Sequence, residues 1–182
     1  MKNIFNYSNS VFANLGCDAK RSLKHVATLI EAPTEVKTVI FVPATNYEET
    51  AIEKVAGWCS REQPCLYIFE LIDAFDVSEV GRAFNYAKNN LIIRKFSKIN
   101  SENGCLYVGS SKDLKKRFKE HLGFGSAATY ALQLSHWAPS LNLKIKFSAA
   151  LYPATTTQEV LQLLENTLWD KQKPMFGKRG GK

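Results

Sequence analysis

At 182 residues, with 45% hydrophobic and 23% charged residues, the chain is long enough for one compact α/β domain and lacks the low hydrophobicity of a disordered one. No apolar run is long enough to span a bilayer, and the start lacks the apolar core of a secretory signal, so no membrane partner is expected and the expected location is cytoplasmic. The net charge of +7 favours a polyanionic partner, because Lys and Arg neutralise phosphates and release counterions, although a charge of this size does not by itself distinguish nucleic acid from other partners.

Along the chain, residues 18–31 read as a helix closed by Pro33, and residues 36–42 as a strand ending at Pro43. Residues 47–58 look helical again. After Pro64 the run Cys65-Leu66-Tyr67-Ile68-Phe69-Glu70-Leu71-Ile72 is short, apolar and aromatic, as in a strand buried on both faces. Asp76 is placed to cap a helix in which Val77, Val80, Phe84 and Leu91 recur at roughly helical spacing. A strand over 105–109 follows the turn signal Glu102-Asn103-Gly104. A basic helix over 112–122, a strand over 143–152 and a last helix over 157–171, stopping before Pro174, complete the series. The four cysteines, Cys17, Cys59, Cys65 and Cys105, form no CxxC pair and read as reduced structural thiols.

Two helices carry chemistry. In the basic helix Ser111 is placed to cap the first turn, and Leu114, Phe118 and Leu122 form one buried stripe. At about 100° per residue, Arg117 and His121 fall together on one flank of that stripe, while Lys115, Lys116 and Lys119 point further out. An i, i+4 pair of a permanent cation and a titratable imidazole can hold a phosphate and handle a proton together; the same spacing also fits a solvated basic face with an incidental histidine. In the last helix Glu165 shares a face with Leu161, Leu164, Leu168 and Trp169, where a carboxylate is costly unless paired, protonated or bound to a metal. One carboxylate with waters and a substrate phosphate suffices for Mg2+.

From Pro64 onward the order of elements resembles the GIY-YIG nuclease family, in its restriction-endonuclease-like branch. The first family motif falls at Leu66-Tyr67-Ile68, with Cys65 in the place of glycine; the second is Leu106-Tyr107-Val108-Gly109-Ser110-Ser111, running into the helix of Arg117. His121 matches the histidine one turn later, Glu165 the metal-binding glutamate, and Lys173-Pro174-Met175-Phe176-Gly177 the segment that often carries an asparagine. Gly177 stands where many members have that asparagine, and Asn166 is an alternative source turned away from Glu165. An insertion with the helix around Phe84 separates the motif tyrosines, where the family usually has a short hairpin.

The resemblance implies an α+β fold with a small, mostly antiparallel three-stranded sheet flanked by helices. Residues 1–63 would be a helix–strand–helix extension packed on a nuclease domain over 64–182. It further implies metal-dependent hydrolysis of DNA phosphodiesters, in restriction, phage defence or mobile-element biology. Glu165 would ligate one Mg2+ or Mn2+ ion, Arg117 would hold the scissile phosphate, Tyr67 would be the general base, and Tyr107 and His121 would orient the nucleophile or pass its proton. Lys112, Lys115, Lys116, Lys119, Lys178, Arg179 and Lys182 would bind the DNA backbone. Trp137 and Phe124 are candidates for base stacking, although burial suits both. Cleavage of both strands by one site requires a homodimer or sequential nicking. Two rival readings are a non-catalytic nucleic-acid-binding or scaffolding module and a repair nuclease acting on branched or damaged DNA.

Overall fold

The computed structural model describes residues 24–25, 27–43, 49–58, 62–72 and 76–180. The chain divides into two compact units, Met1–Glu31 and Ala32–Lys182. Most of the helix expected over 18–31 lies outside the described residues; residues 24–25 and 27–28 are helical.

The second unit contains the strands β1 (Glu35–Phe41), β2 (Cys65–Leu71), β3 (Cys105–Ser111) and β4 (Ile145–Leu151), and the helices α1 (Glu49–Ala56), α2 (Val77–Asn90), α3 (Leu114–Leu122) and α4 (Gln158–Gln172). The strands form one antiparallel sheet in the order β1-β4-β2-β3. The expected three-stranded sheet is therefore corrected to four strands. β1 buries Val39 and Phe41 on one face and pairs with β4 from Glu35↔Leu151 to Phe41↔Ile145, which satisfies backbone groups along an edge of β4 that would otherwise be open.

Strand alternation sorts the side chains into two layers. On one face Phe41, Phe69 and Phe147 surround Phe118 of α3, with ring centroids 5.5, 6.0 and 4.6 Å from it. On the other face Leu66 packs with Leu161 and Leu164 of α4 and with Tyr152. Since Leu66 pairs with Ser110, Ser110 belongs to the α4 layer, whereas Tyr67 and its partner Gly109 belong to the α3 layer.

The insertion between β2 and β3 is docked into the core by an amphipathic helix. Asp76 caps α2 by accepting from the Ser78 N–H, and Phe84 stacks on Phe176 at 4.1 Å and meets Trp137 edge-on. Despite the insertion, β2 and β3 pair directly, with Tyr67 opposite Gly109. Helix α3 starts later than expected because β3 runs through Ser111. Its N-cap is Asp113, whose side chain accepts from Lys116 N at 3.0 Å, while the Ser111 hydroxyl accepts from Asp113 N at 2.9 Å in the turn before it. Gly123, at φ +101°, ends the helix in the left-handed conformation.

Candidate active site

Arg117 and His121 lie one turn apart on α3 and converge on a single atom, the hydroxyl oxygen of Tyr67. Arg117 Nε donates to it at 3.0 Å, and His121 Nε2 stands 3.2 Å away. His121 Nδ1 accepts the backbone N–H of Leu132 at 3.3 Å. A neutral imidazole bonded in this way carries its proton on Nε2, so His121 is a second donor to Tyr67. Burial, followed by the nearby charge of Arg117, holds the imidazole well below its usual range and hence neutral.

The rest of the guanidinium is also held. Nη1 donates to Glu120 Oε2 at 2.8 Å, and Nη2 donates to the Tyr107 hydroxyl and to the Tyr130 carbonyl, each at 3.1 Å. These contacts leave one Nη1 hydrogen for a ligand. Burial works against the charge, but the oxygens of Tyr67, Tyr107 and Glu120 outweigh it and Arg117 stays a cation. The two phenols lie parallel, with interplanar angle 5° and centroids 6.3 Å apart. Gly109 is required between them: a Cβ there would fall 2.5 Å from the Tyr67 hydroxyl and 3.0 Å from the Tyr107 ring. Burial raises both phenol pKa values, with Arg117 opposing, so both tyrosines are protonated in the resting protein.

Glu165 approaches from the other layer. Its Oε2 accepts from the Ser110 hydroxyl at 2.5 Å. Burial raises its pKa, against the Ser110 bond and the charge of Arg117. The carboxylate is felt at Arg117, Tyr67 and Tyr107, so the groups are electrostatically coupled although edge strand β3 lies between the layers. A cleft of 430 Å³ opens over Arg117, lined by Tyr107, Tyr130, Lys88, Lys98, Gly177 and Lys178 among others, and neither Tyr67 nor Glu165 lines it. The structure thus brings Tyr67, Tyr107, Arg117 and His121 into one cluster, with Glu165 at its margin.

The expected phosphate-binding cations divide differently. Lys178 lines the cleft. Lys115, Lys116 and Lys119 line a separate depression with Glu120 and Phe124, Lys115 pairs with Glu53 at 3.3 Å, and Lys112 is exposed elsewhere. Arg179 makes two bonds to Asp170, at 2.8 and 2.9 Å. Lys182 lies outside the described residues. Trp137 is buried and donates its indole N–H to Leu132 O, which removes it as a stacking candidate. Gly177 does not replace an asparagine interchangeably: it sits at φ +107°, and a Cβ there would fall 2.9 Å from the Tyr107 ring. Asn166 bonds Gln162 on its own helix. Asn100, which the sequence did not single out, ties down the segment before Gly177 through the carbonyls of Pro174 and Gly177, at 3.0 and 3.1 Å. Glu120, Ser110, Lys88, Lys98 and Tyr130 were also not anticipated. The first two had a signal, being next to His121 and Gly109 in sequence; the other three come to the site through tertiary contacts alone.

Among the described residues no group of three or more His, Cys, Asp or Glu side chains is arranged to hold a metal. A hard divalent ion completed by waters and phosphate oxygens needs less, and a half-buried carboxylate bonded through one oxygen to a serine hydroxyl fits that donor set.

A half-buried arginine fixed by two tyrosines on a small antiparallel sheet, at a cation-lined cleft, is an arrangement that can hold a phosphate group. Residues 96–179 match the model of the GIY-YIG catalytic domain, which supports membership of the GIY-YIG nuclease family for this part of the chain. No curated protein and no solved structure showed significant similarity to the chain. The match begins after Tyr67 and after the inserted helix α2. Among the described residues no helix is long and apolar enough to cross a membrane.

Proposed function

We propose that this protein is a divalent-metal-dependent DNA endonuclease, serving restriction, phage defence or mobile-element biology, and that it hydrolyses a phosphodiester lying along the β3 edge between Arg117 and Glu165. The observation that carries this reading is the guanidinium of Arg117, which lines the cleft, is immobilised by Tyr67, Tyr107 and Glu120, and keeps one Nη1 hydrogen outside its protein bonds. Such a preorganised cation binds the scissile phosphate and stabilises the charge that develops on it in the transition state.

Tyr107 is placed to orient the attacking water, since it lines the cleft while Tyr67 is only 2% exposed. Tyr67 and His121 stand behind it as positioning residues for Arg117. His121 is not the proton acceptor in the resting protein, because its Nδ1 is occupied by the Leu132 N–H and its Nε2 already carries a proton. Glu165 would hold Mg2+ or Mn2+, which supplies polarisation of a phosphate oxygen and stabilisation of the leaving 3′ oxygen. Ser110 fixes the rotamer of that carboxylate.

One observation favours the rival reading of a non-catalytic nucleic-acid-binding module: Glu165 does not line the cleft that holds Arg117. Nicking of supercoiled plasmid, modified and unmodified, with Mg2+, Mn2+ or EDTA separates the two. Metal-dependent nicking that EDTA abolishes is expected, and DNA binding without cleavage under every metal would transfer the conclusion to the binding module.

A further inference from the structure

The cleft over Arg117 is lined by residues of the family match together with Lys88 from the insertion that precedes it, and its cations and exposed ring have the chemistry to hold a nucleotide. Lys88 comes from the inserted helix α2, Lys98 from the segment before β3, and Lys178 from beyond α4. Among the described residues none of these three ammonium groups is in an ion pair with a carboxylate. Tyr130, 62% exposed, also lines the cleft, and hydrogen bonds constrain the backbone at and around it.

That constraint has identifiable sources. The carbonyl of Tyr130 accepts from Arg117 Nη2. The loop around it is laced to the segment after α2 by Lys95 N to Ala127 O at 2.8 Å and Ser97 N to Ala131 O at 3.0 Å. Gln133, 1% exposed, clamps the same two segments by accepting from Arg94 Nη1 at 3.0 Å and donating to Lys95 O at 3.1 Å. Lys95 Nζ lies 5.9 Å from the centre of the Tyr130 ring. An aromatic face exposed to solvent on an immobilised backbone loses little conformational freedom when a ligand stacks on it.

We propose that this cleft is a nucleotide subsite, in which Lys88, Lys98 and Lys178 hold DNA phosphates and Tyr130 stacks on the base next to the phosphate bound by Arg117. The inference rests on the nuclease reading only in naming DNA as the ligand. Stacking is tolerant of sequence because every base has a π-face, and it requires that base to be unpaired or extruded. The insertion then has a function: α2 carries Lys88 to the cleft and fixes the segment against which the Tyr130 loop is held.

The test is fluorescence anisotropy of the full chain with a labelled ten-nucleotide single strand in EDTA, so that binding is read without cleavage. Tyr130→Ala is expected to weaken binding about ten-fold with an unchanged salt slope, and Tyr130→Phe to bind within about two-fold of wild type, because stacking uses the ring face. Lys88→Ala, Lys98→Ala and Lys178→Ala should each flatten the plot of log affinity against log salt by about 0.7. Tyr86→Ala, at an exposed tyrosine on α2 that does not line the cleft, should change nothing. Thermal melting identifies any variant that has lost its fold. Wild-type affinity and salt slope in folded Tyr130→Ala and Lys98→Ala would overturn the subsite even if the plasmid is cut. Tyr130-dependent binding by a protein that cuts nothing would uphold the subsite and overturn the nuclease reading.

Discussion

The two halves of the candidate site are built on opposite plans. On the α3 side both site groups are tied: Arg117 is bonded to Tyr67, Tyr107, Glu120 and Tyr130, and His121 is fixed at both nitrogens. On the α4 side the hydrogen bonds of Glu165 among the described residues come from Ser110 alone, and burial raises its pKa. A cation that must hold a phosphate in one geometry benefits from being held rigidly beforehand. A carboxylate meant for a hard metal must instead keep oxygen lone pairs unused by the protein. The contrast assigns each half a different vulnerability to substitution.

The largest effect is expected for Arg117→Ala. It removes transition-state stabilisation, about 10²–10³-fold in cleavage, and leaves Glu120, 8% exposed, buried and unpaired, a loss of about 3–5 kcal/mol. Chemical denaturation of Arg117→Ala beside Arg117→Ala/Glu120→Gln measures the second effect, and the double variant should recover part of it. Glu165→Gln should match the first effect and reverse the second. Cleavage should fall by about 10³-fold, with several kcal/mol of charge stabilisation gone, while the protein becomes no less stable at neutral pH. The sign follows from the raised carboxyl pKa: folding favours the protonated form, so stability is full below the unfolded pKa and declines as pH rises through the folded one. The amide lacks that decline, and its melting temperature should exceed that of wild type at pH 7 and converge with it in acid. Near-wild-type nicking by Glu165→Gln would remove the metal role.

Next in size is Gly177→Asn, which tests whether restoring the family's residue helps. The left-handed φ and the 2.9 Å approach to Tyr107 predict a loss of about 1–3 kcal/mol and lower activity; faster cleavage would contradict the role given to Gly177. The smallest effect is a pH response. His121 is neutral in the fold with a depressed pKa, so its contribution is present above about 6.5 and is lost as pH falls, by at most about 1.4 kcal/mol per pH unit. Denaturant midpoints at pH 7 and pH 5.5 should separate in wild type and draw together in His121→Gln.

Much of this was legible in the sequence, in particular places. The Leu114, Phe118 and Leu122 stripe oriented α3 and put Arg117 and His121 on one flank, because helical periodicity is a local property. Tyr67 and Tyr107 could be assigned to strands, but their parallel stacking beside Gly109 depends on a register set across an insertion. The fourth strand was visible as a strand and not as a neighbour of β4, since edge pairing is decided by which backbone remains unsatisfied. Cation positions were least legible: Lys115, Lys116 and Lys119 share a helix with Arg117 yet face away from its cleft, while Lys88 and Lys98 reach it from distant segments. Charge density along a sequence reports proximity in the chain, and a phosphate responds to proximity in space.

The strand order also bears on how far this domain is modular. The family match covers residues 96–179 and includes β3 and β4, but in the sheet these strands are not adjacent, since β2 lies between them. At about 4.8 Å between neighbouring strands, a fragment cut to the matched residues would leave a gap of about 10 Å with no backbone to bridge it. It would also lack Tyr67, the acceptor on which Arg117 and His121 converge. Grafting this domain onto another protein therefore requires the transplant to begin upstream of Cys65 and to carry the inserted helix with it. The structural unit is thus larger than the recognisable one.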